Sequence, residues 1–217
     1  CSSDLTAYGS GTLASNTAGT YSTAIGLSSL NKNTTGTQNT AIGNQTLENV
    51  TIGSYNTALG SQALRLTTTG SWNTAIGEGA MYNNTTGQYN VAVGNGSLNQ
   101  NTIGDSNVAI GYTALNANTT GTSNTGIGLR ALWSNTIGQY NVSVGTDCLR
   151  SNTTGSFNTA MGDSALAANT TANDNAAFGQ SALSANTTGA SNVAMGRDAL
   201  KSNTTASNNT AVGYQAG

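Results

Sequence analysis

"NTAIGEGAMYNNTTGQY", Asn73 to Tyr89, is followed without a gap by "NVAVGNGSLNQNTIGDS", Asn90 to Ser106, which matches it place for place while changing about half of its residues. The glycine at the fifth place of this phrase recurs from Gly9 through Gly77 to Gly213, thirteen times at intervals of 17, with no insertion or deletion. Loop insertions cost little in an ordinary domain, because closure entropy grows slowly with length. A strict register over thirteen units therefore implies that each residue stacks on its counterpart in the next unit.

Counted from its Asn, the unit reads N-T/V-A-I-G-x-x-A-L-x-x-N-T-T-G-x-x. Asn, Thr and Gly are poor helix formers, and no apolar period of about 3.6 residues survives within a unit. Short β-branched stretches such as "NTAIG", bounded by Gly and Asn, read as strands separated by tight corners. The solution is an all-β parallel β-solenoid with one coil per 17 residues and about 13 coils. At about 4.8 Å per coil it is one elongated domain spanning residues 1–217, roughly 60 Å long.

Alternation along the strand assigns positions 2 and 4 to one face and positions 1 and 3 to the other. The large residue at position 4, such as Ile76, is expected to point inward and meet the Leu or Met of position 9, making two apolar ladders. Gly at positions 5 and 15 is expected at corners that need positive φ or close backbone approach. Asn at positions 1 and 12 is expected to form amide ladders from coil to coil. On this assignment the small residue of position 3 faces outward, and Ala58, Ala75, Ala92, Ala109, Ala160 and Ala194 form a flat apolar contact strip. Two or three apolar side chains per coil fall short of the entropy of ordering 17 backbones, so packing between chains is expected to supply part of the difference. A homo-oligomer follows.

Composition excludes several function classes. A net charge of −2 with six scattered basic residues gives no footprint for nucleic acid or an anionic membrane surface. No run of about 20 apolar residues is present, so no membrane-spanning segment is expected. The chain has no His, its eight acidic residues do not recur at one repeat position, and no catalytic group, cofactor or metal site is expected. Glu48 lies 17 residues before Arg65, and Arg130 lies 17 before Asp147, so each pair should meet on adjacent coils. Cys148 replaces Ala, Ser or Thr at position 8 and reads as a small buried substitute. Cys1 reads as the first residue of a processed fragment, with a lipid anchor there as the alternative.

"NTAIG", "NVAVG" and "NVAIG" resemble the core of the head repeats of trimeric autotransporter adhesins, and "NTTGxxNTAIGxxAL" resembles repeats of phage tail-fibre proteins that end in a self-cleaving chaperone domain. The resemblance covers essentially the whole chain. It implies a left-handed β-roll, three chains side by side, and a place on a cell-surface or virion fibre outside the cell. The adhesin repeat is shorter, and the added "NTTG" corner departs from it.

Three roles remain open on the residues alone. An adhesin segment would use the aromatic residues of position 17, Tyr55, Trp72, Tyr89, Tyr140 and Phe157, to stack on sugar rings of a surface glycan or host receptor. The plainer reading is that these rings cover corners. A filament subunit would stack end to end, because the chain starts and stops inside its repeat with no polar cap in view. An ice-binding protein would use Thr at positions 13 and 14, although adjacent residues on a strand point to opposite faces.

Overall fold

Each "TAI" or "VAV" triplet pairs in parallel with the triplet 17 residues on, as in Thr23↔Thr40, Ala24↔Ala41 and Ile25↔Ile42. The computed structural model describes residues 4–217, so the expectations for Cys1 lie outside the described residues. The chain is a parallel β-solenoid of thirteen three-residue strands, with no helix among the described residues.

Two compact units divide it. The first ends at Ser106 and carries β1 (Thr6–Tyr8), β2 (Thr23–Ile25), β3 (Thr40–Ile42), β4 (Thr57–Leu59), β5 (Thr74–Ile76) and β6 (Val91–Val93). The second runs from Asn107 and carries β7 (Val108–Ile110), β8 (Thr125–Ile127), β9 (Val142–Val144), β10 (Thr159–Met161), β11 (Ala176–Phe178), β12 (Val193–Met195) and β13 (Thr210–Val212). Within each unit every strand lies beside its sequence neighbours, and backbone bonds such as Thr40 N–H to Asn56 O, 2.8 Å, tie coil to coil.

The strand alternates as expected, but its faces are exchanged. The position-3 residues Ala24, Ala41, Ala58, Ala75, Ala92, Ala109, Ala160, Ala177 and Ala194 are completely buried inside their own coil. The position-4 residues point outward, with Leu59 at 44%, Ile76 at 37% and Met195 at 45% exposure. The inward apolar ladder of position 4 is therefore corrected, and so is the outward alanine strip. The interior of each unit holds a ladder of large side chains lined by alanines, Leu30 through Met81 to Leu98 in the first and Leu115 to Leu183 in the second.

The physical reason is the narrow bore of a 17-residue coil. At Gly126, which replaces alanine at position 3, an added Cβ would sit 3.3 Å from Leu115 Cγ. A methyl group already fills that space, and an isoleucine would overpack it.

The Leu ladder has a second cost. Leu30, Leu47, Leu64, Met81 and Leu98 all adopt left-handed backbone with φ between 49° and 51°. This region disfavours a residue with a branched or long side chain by roughly 1–2 kcal/mol. The conformation persists because the side chain is buried and the backbone is bonded on both sides, as in Leu47 N–H to Ala63 O, 3.1 Å, and Val50 N–H to Leu47 O, 3.3 Å.

The glycine corners follow expectation in two distinct ways. Gly60 has φ +128°, and an added Cβ would lie 2.6 Å from Gly77 O in the next coil. Gly138, at the other corner, has no positive φ but would collide with Asn135 Oδ1 and Gly155 O.

Candidate functional site

Inside the coil the asparagines form the expected ladders. At position 1, Asn56 donates from Nδ2 to Asn39 Oδ1 (3.2 Å) and to Gly70 O (2.9 Å), while its backbone N–H reaches the same Asn39 Oδ1 (3.0 Å). At position 12, Asn135 Nδ2 donates to Asn118 Oδ1 (2.9 Å) and Gly138 O (3.0 Å), and Asn152 repeats the pattern on Asn135 and Gly155. These side chains are completely buried. A buried amide is tolerated when its donors and acceptor are satisfied, and a repeat of fixed length satisfies them from coil to coil.

The position-13 threonines are also used within the fold. Thr34 Oγ1 donates to Thr51 O at 2.9 Å and Thr136 Oγ1 to Thr153 O at 3.0 Å. Their neighbours at position 14, such as Thr35, Thr86 and Ile103, point to solvent. The outward Thr file is thus single and interrupted by Ile52, Ile103 and Ile137.

Two surface features remain as candidates. The first is the outer face of the strands, formed by Thr or Val at position 2, with Ala176 in β11, and by Ile, Val, Leu, Met or Phe at position 4, with Tyr8 in β1. It carries no charged residue in either unit. Position 6, beside it, is mixed, with polar residues such as Asn44, Ser61 and Gln180, the charged Glu78, Asp163 and Arg197, and the apolar Leu27 and Leu129.

The second is the aromatic column at position 17. Tyr55, Trp72 and Tyr89 form a stack, with ring centroids 5.4 Å and 5.1 Å apart and planes 5° and 8° from parallel. Tyr140 and Phe157 stack in the second unit at 5.1 Å and 10°. The cause is the backbone: φ is 60°, 58° and 57° at Tyr55, Trp72 and Tyr89, so each ring leaves its corner at the same angle as the last. The rings are about half exposed, and within each stack their faces lie against one another. A sugar meets the ring edges and polar tips here, with open ring faces only at the ends of a stack.

The charge pairs stand where the register places them, with Arg65 Nε 2.7 Å from Glu48 Oε2 and Arg130 Nη2 2.7 Å from Asp147 Oδ2. Arg65 also donates to Tyr82 Oη at 3.0 Å, and Glu48 beside it raises the guanidinium pKa above its ordinary value. Cys148 is buried as expected, its thiol reaching Ala160 O at 3.2 Å, and burial pushes its pKa up to about 11. Ser143, in the place of an inward alanine, is satisfied by donating to Cys148 O at 2.8 Å. Among the described residues there is no pocket and no group of three side chains able to hold a metal ion.

Sequence reasoning missed the outer strand face. Its signal was available, since an Asn that must reach neighbouring coils from position 1 belongs inside, and alternation then turns positions 2 and 4 outward. In comparisons with known proteins, the chain matches no family model, no curated protein and no solved structure.

Proposed function

We propose that the chain is a non-catalytic, self-associating segment of an extracellular fibre, on a cell surface or a virion, in which copies pack through the outer faces of their strands. The observation that carries this reading is the uncharged outer face along each unit, in which an exposed apolar file at position 4, from Ile25 to Val93 and from Ile110 to Val212, runs beside Thr and Val. Three-residue strands about 10 Å wide, stacked at about 4.8 Å, give each unit a flat face of roughly 300 Å². A patch of that size sits at the level of the largest found on ordinary monomers and is often functional.

A second copy of the chain is the occupant that fits. It presents the same residues at the same rise, so every outward Ile, Val or Met finds an equivalent neighbour. The likeness of the "NTAIG" core to adhesin heads and tail fibres favours three copies.

Light scattering on the eluting protein tests the reading. The wild type is expected at a multiple of 21.7 kDa, near three times that mass, and the Ile42→Asp/Ile76→Asp variant at the single-chain mass. A wild type that elutes as a monomer at micromolar concentration removes the proposal.

Attachment would then fall to the remaining surface, where the aromatic column is the strongest feature. Binding to a panel of surface glycans, lost in Trp72→Ala and Tyr89→Ala, supports an adhesive role. Binding unchanged in both variants takes the column out of it.

A further inference from the structure

The triplet Asn-Thr-Thr begins at Asn33, Asn84, Asn118, Asn152, Asn169, Asn186 and Asn203. Asn-X-Ser/Thr is the acceptor for N-glycosylation and ordinarily marks a surface loop of a secreted protein. In this fold the same asparagines form the position-12 ladder, and all but Asn203 are completely buried.

The modification and the ladder draw on the same atom. In glycosylation Nδ2 attacks the anomeric carbon of a polyprenyl-diphosphate-linked oligosaccharide. A C–N bond forms, the C–O bond to the diphosphate breaks, the polyprenyl diphosphate departs, and one Nδ2 proton is lost to a base. Asn152 spends its two Nδ2 protons on Asn135 Oδ1 and Gly155 O, both at 2.9 Å. Asn169 spends its pair on Asn152 Oδ1 (2.9 Å) and Ala172 O (3.1 Å), and Asn186 on Asn169 Oδ1 (3.2 Å) and Gly189 O (2.9 Å). A glycan on any of them removes a ladder proton and places a bulky polar chain in a space closed to water.

We infer that the Asn-Thr-Thr corners are acceptor sites hidden by folding, so that glycosylation there and the solenoid exclude each other. The chain then matures only where no Asn-X-Thr oligosaccharyltransferase reaches it before it folds. The molecule carries its own controls, because Asn44, Asn95 and Asn208 also begin acceptor triplets and are exposed, Asn49 and Asn83 begin half-exposed ones, and Asn141 begins a buried one in the position-1 ladder.

The test uses the full chain made by cell-free translation, with a purified single-subunit oligosaccharyltransferase and lipid-linked oligosaccharide added either during synthesis or after folding. Site occupancy is read by mass spectrometry and the fold by resistance to protease. With enzyme added after folding, modification is expected at no residue beyond the exposed Asn44, Asn95 and Asn208 and the half-buried Asn49, Asn83 and Asn203. With enzyme present during synthesis, Asn84, Asn118 and Asn152 are modified as well, and those molecules lose protease resistance. Occupancy of Asn84 or Asn152 in the folded chain overturns the inference. So does a ladder that stays unmodified during synthesis, or a glycosylated ladder in a protease-resistant chain.

Discussion

Val50 stands one coil beyond Asn33, where the position-12 ladder elsewhere continues with another Asn, and the Asn33 side-chain oxygen is left buried without a hydrogen-bond partner. Asn33 itself still donates to Asn16 Oδ1 (2.9 Å) and Gly36 O (3.0 Å). Val50 and Thr67 thus break a ladder that resumes at Asn84.

The break makes a stability prediction in both directions. Val50→Asn supplies the missing donor in a space that the repeat already shapes for an amide, and is expected to stabilise the chain by about 1 kcal/mol. Asn135→Val does the reverse, leaving Asn118 Oδ1 without its donor and Asn152 Nδ2 without its acceptor. Two orphaned buried groups are expected to cost about 3 kcal/mol. Equilibrium unfolding in urea reads both, and a Val50→Asn variant weaker than wild type counts against the ladder as the organising interaction.

Thr113 is a β-branched residue held at φ 51°, in a corner position occupied by Gly79 and Gly96 in earlier coils. Thr113→Gly is expected to gain about 1 kcal/mol, since relief of the left-handed strain outweighs the extra freedom of the unfolded chain. The urea midpoint of the single variant decides it.

The pKa of the Cys148 thiol, raised by burial from an ordinary 9.0 to about 11, links stability to alkaline pH. Between those values the unfolded chain has lost the thiol proton while the folded chain keeps it. Stability from this group is therefore intact below about pH 9 and falls as pH rises toward about 11, with a slope approaching about 1.4 kcal/mol per pH unit. Cys148→Ala is expected to flatten that part of the profile. A native chain whose Cys148 reacts with a thiol reagent at pH 8 as fast as the unfolded one contradicts the burial.

Trp72 lies between two parallel rings. Trp72→Ala breaks both contacts, and at about 0.5–1.5 kcal/mol per aromatic pair a loss of about 1–3 kcal/mol is expected by urea unfolding. A smaller change than that produced by Trp133→Ala, whose ring joins no such stack among the described residues, would mean that the column adds nothing to the fold.

The period, the parallel pairing, the asparagine ladders and the stacked charge pairs were legible in the sequence because each follows from register alone. A residue 17 places on is a neighbour whatever the shape of the coil. Which face points inward depends instead on the bore, and the bore is set by corners whose geometry the residues do not announce. The small size of Ala75 and its counterparts has two physical readings, a flat outer strip or a tight interior, and the close fit against the Leu ladder selects the second. Left-handed backbone at Leu47 or Met81 was equally illegible, since neither residue favours that region and only the surrounding coils enforce it. For the aromatic column, sequence placed Tyr55, Trp72 and Tyr89 in one file; that their faces cover one another follows from a repeated φ that the sequence does not display.

Oxidative cross-linking is the most direct test of how copies meet. In a Cys1→Ser/Cys148→Ala background, Ile76→Cys places a thiol on the outer strand face and Ala75→Cys places one inside the coil. Ile76→Cys is expected to form an interchain disulfide and migrate at twice 21.7 kDa without reductant, while Ala75→Cys remains a single chain. Failure of Ile76→Cys, Ile42→Cys and Val93→Cys to cross-link at any protein concentration would contradict association through this face.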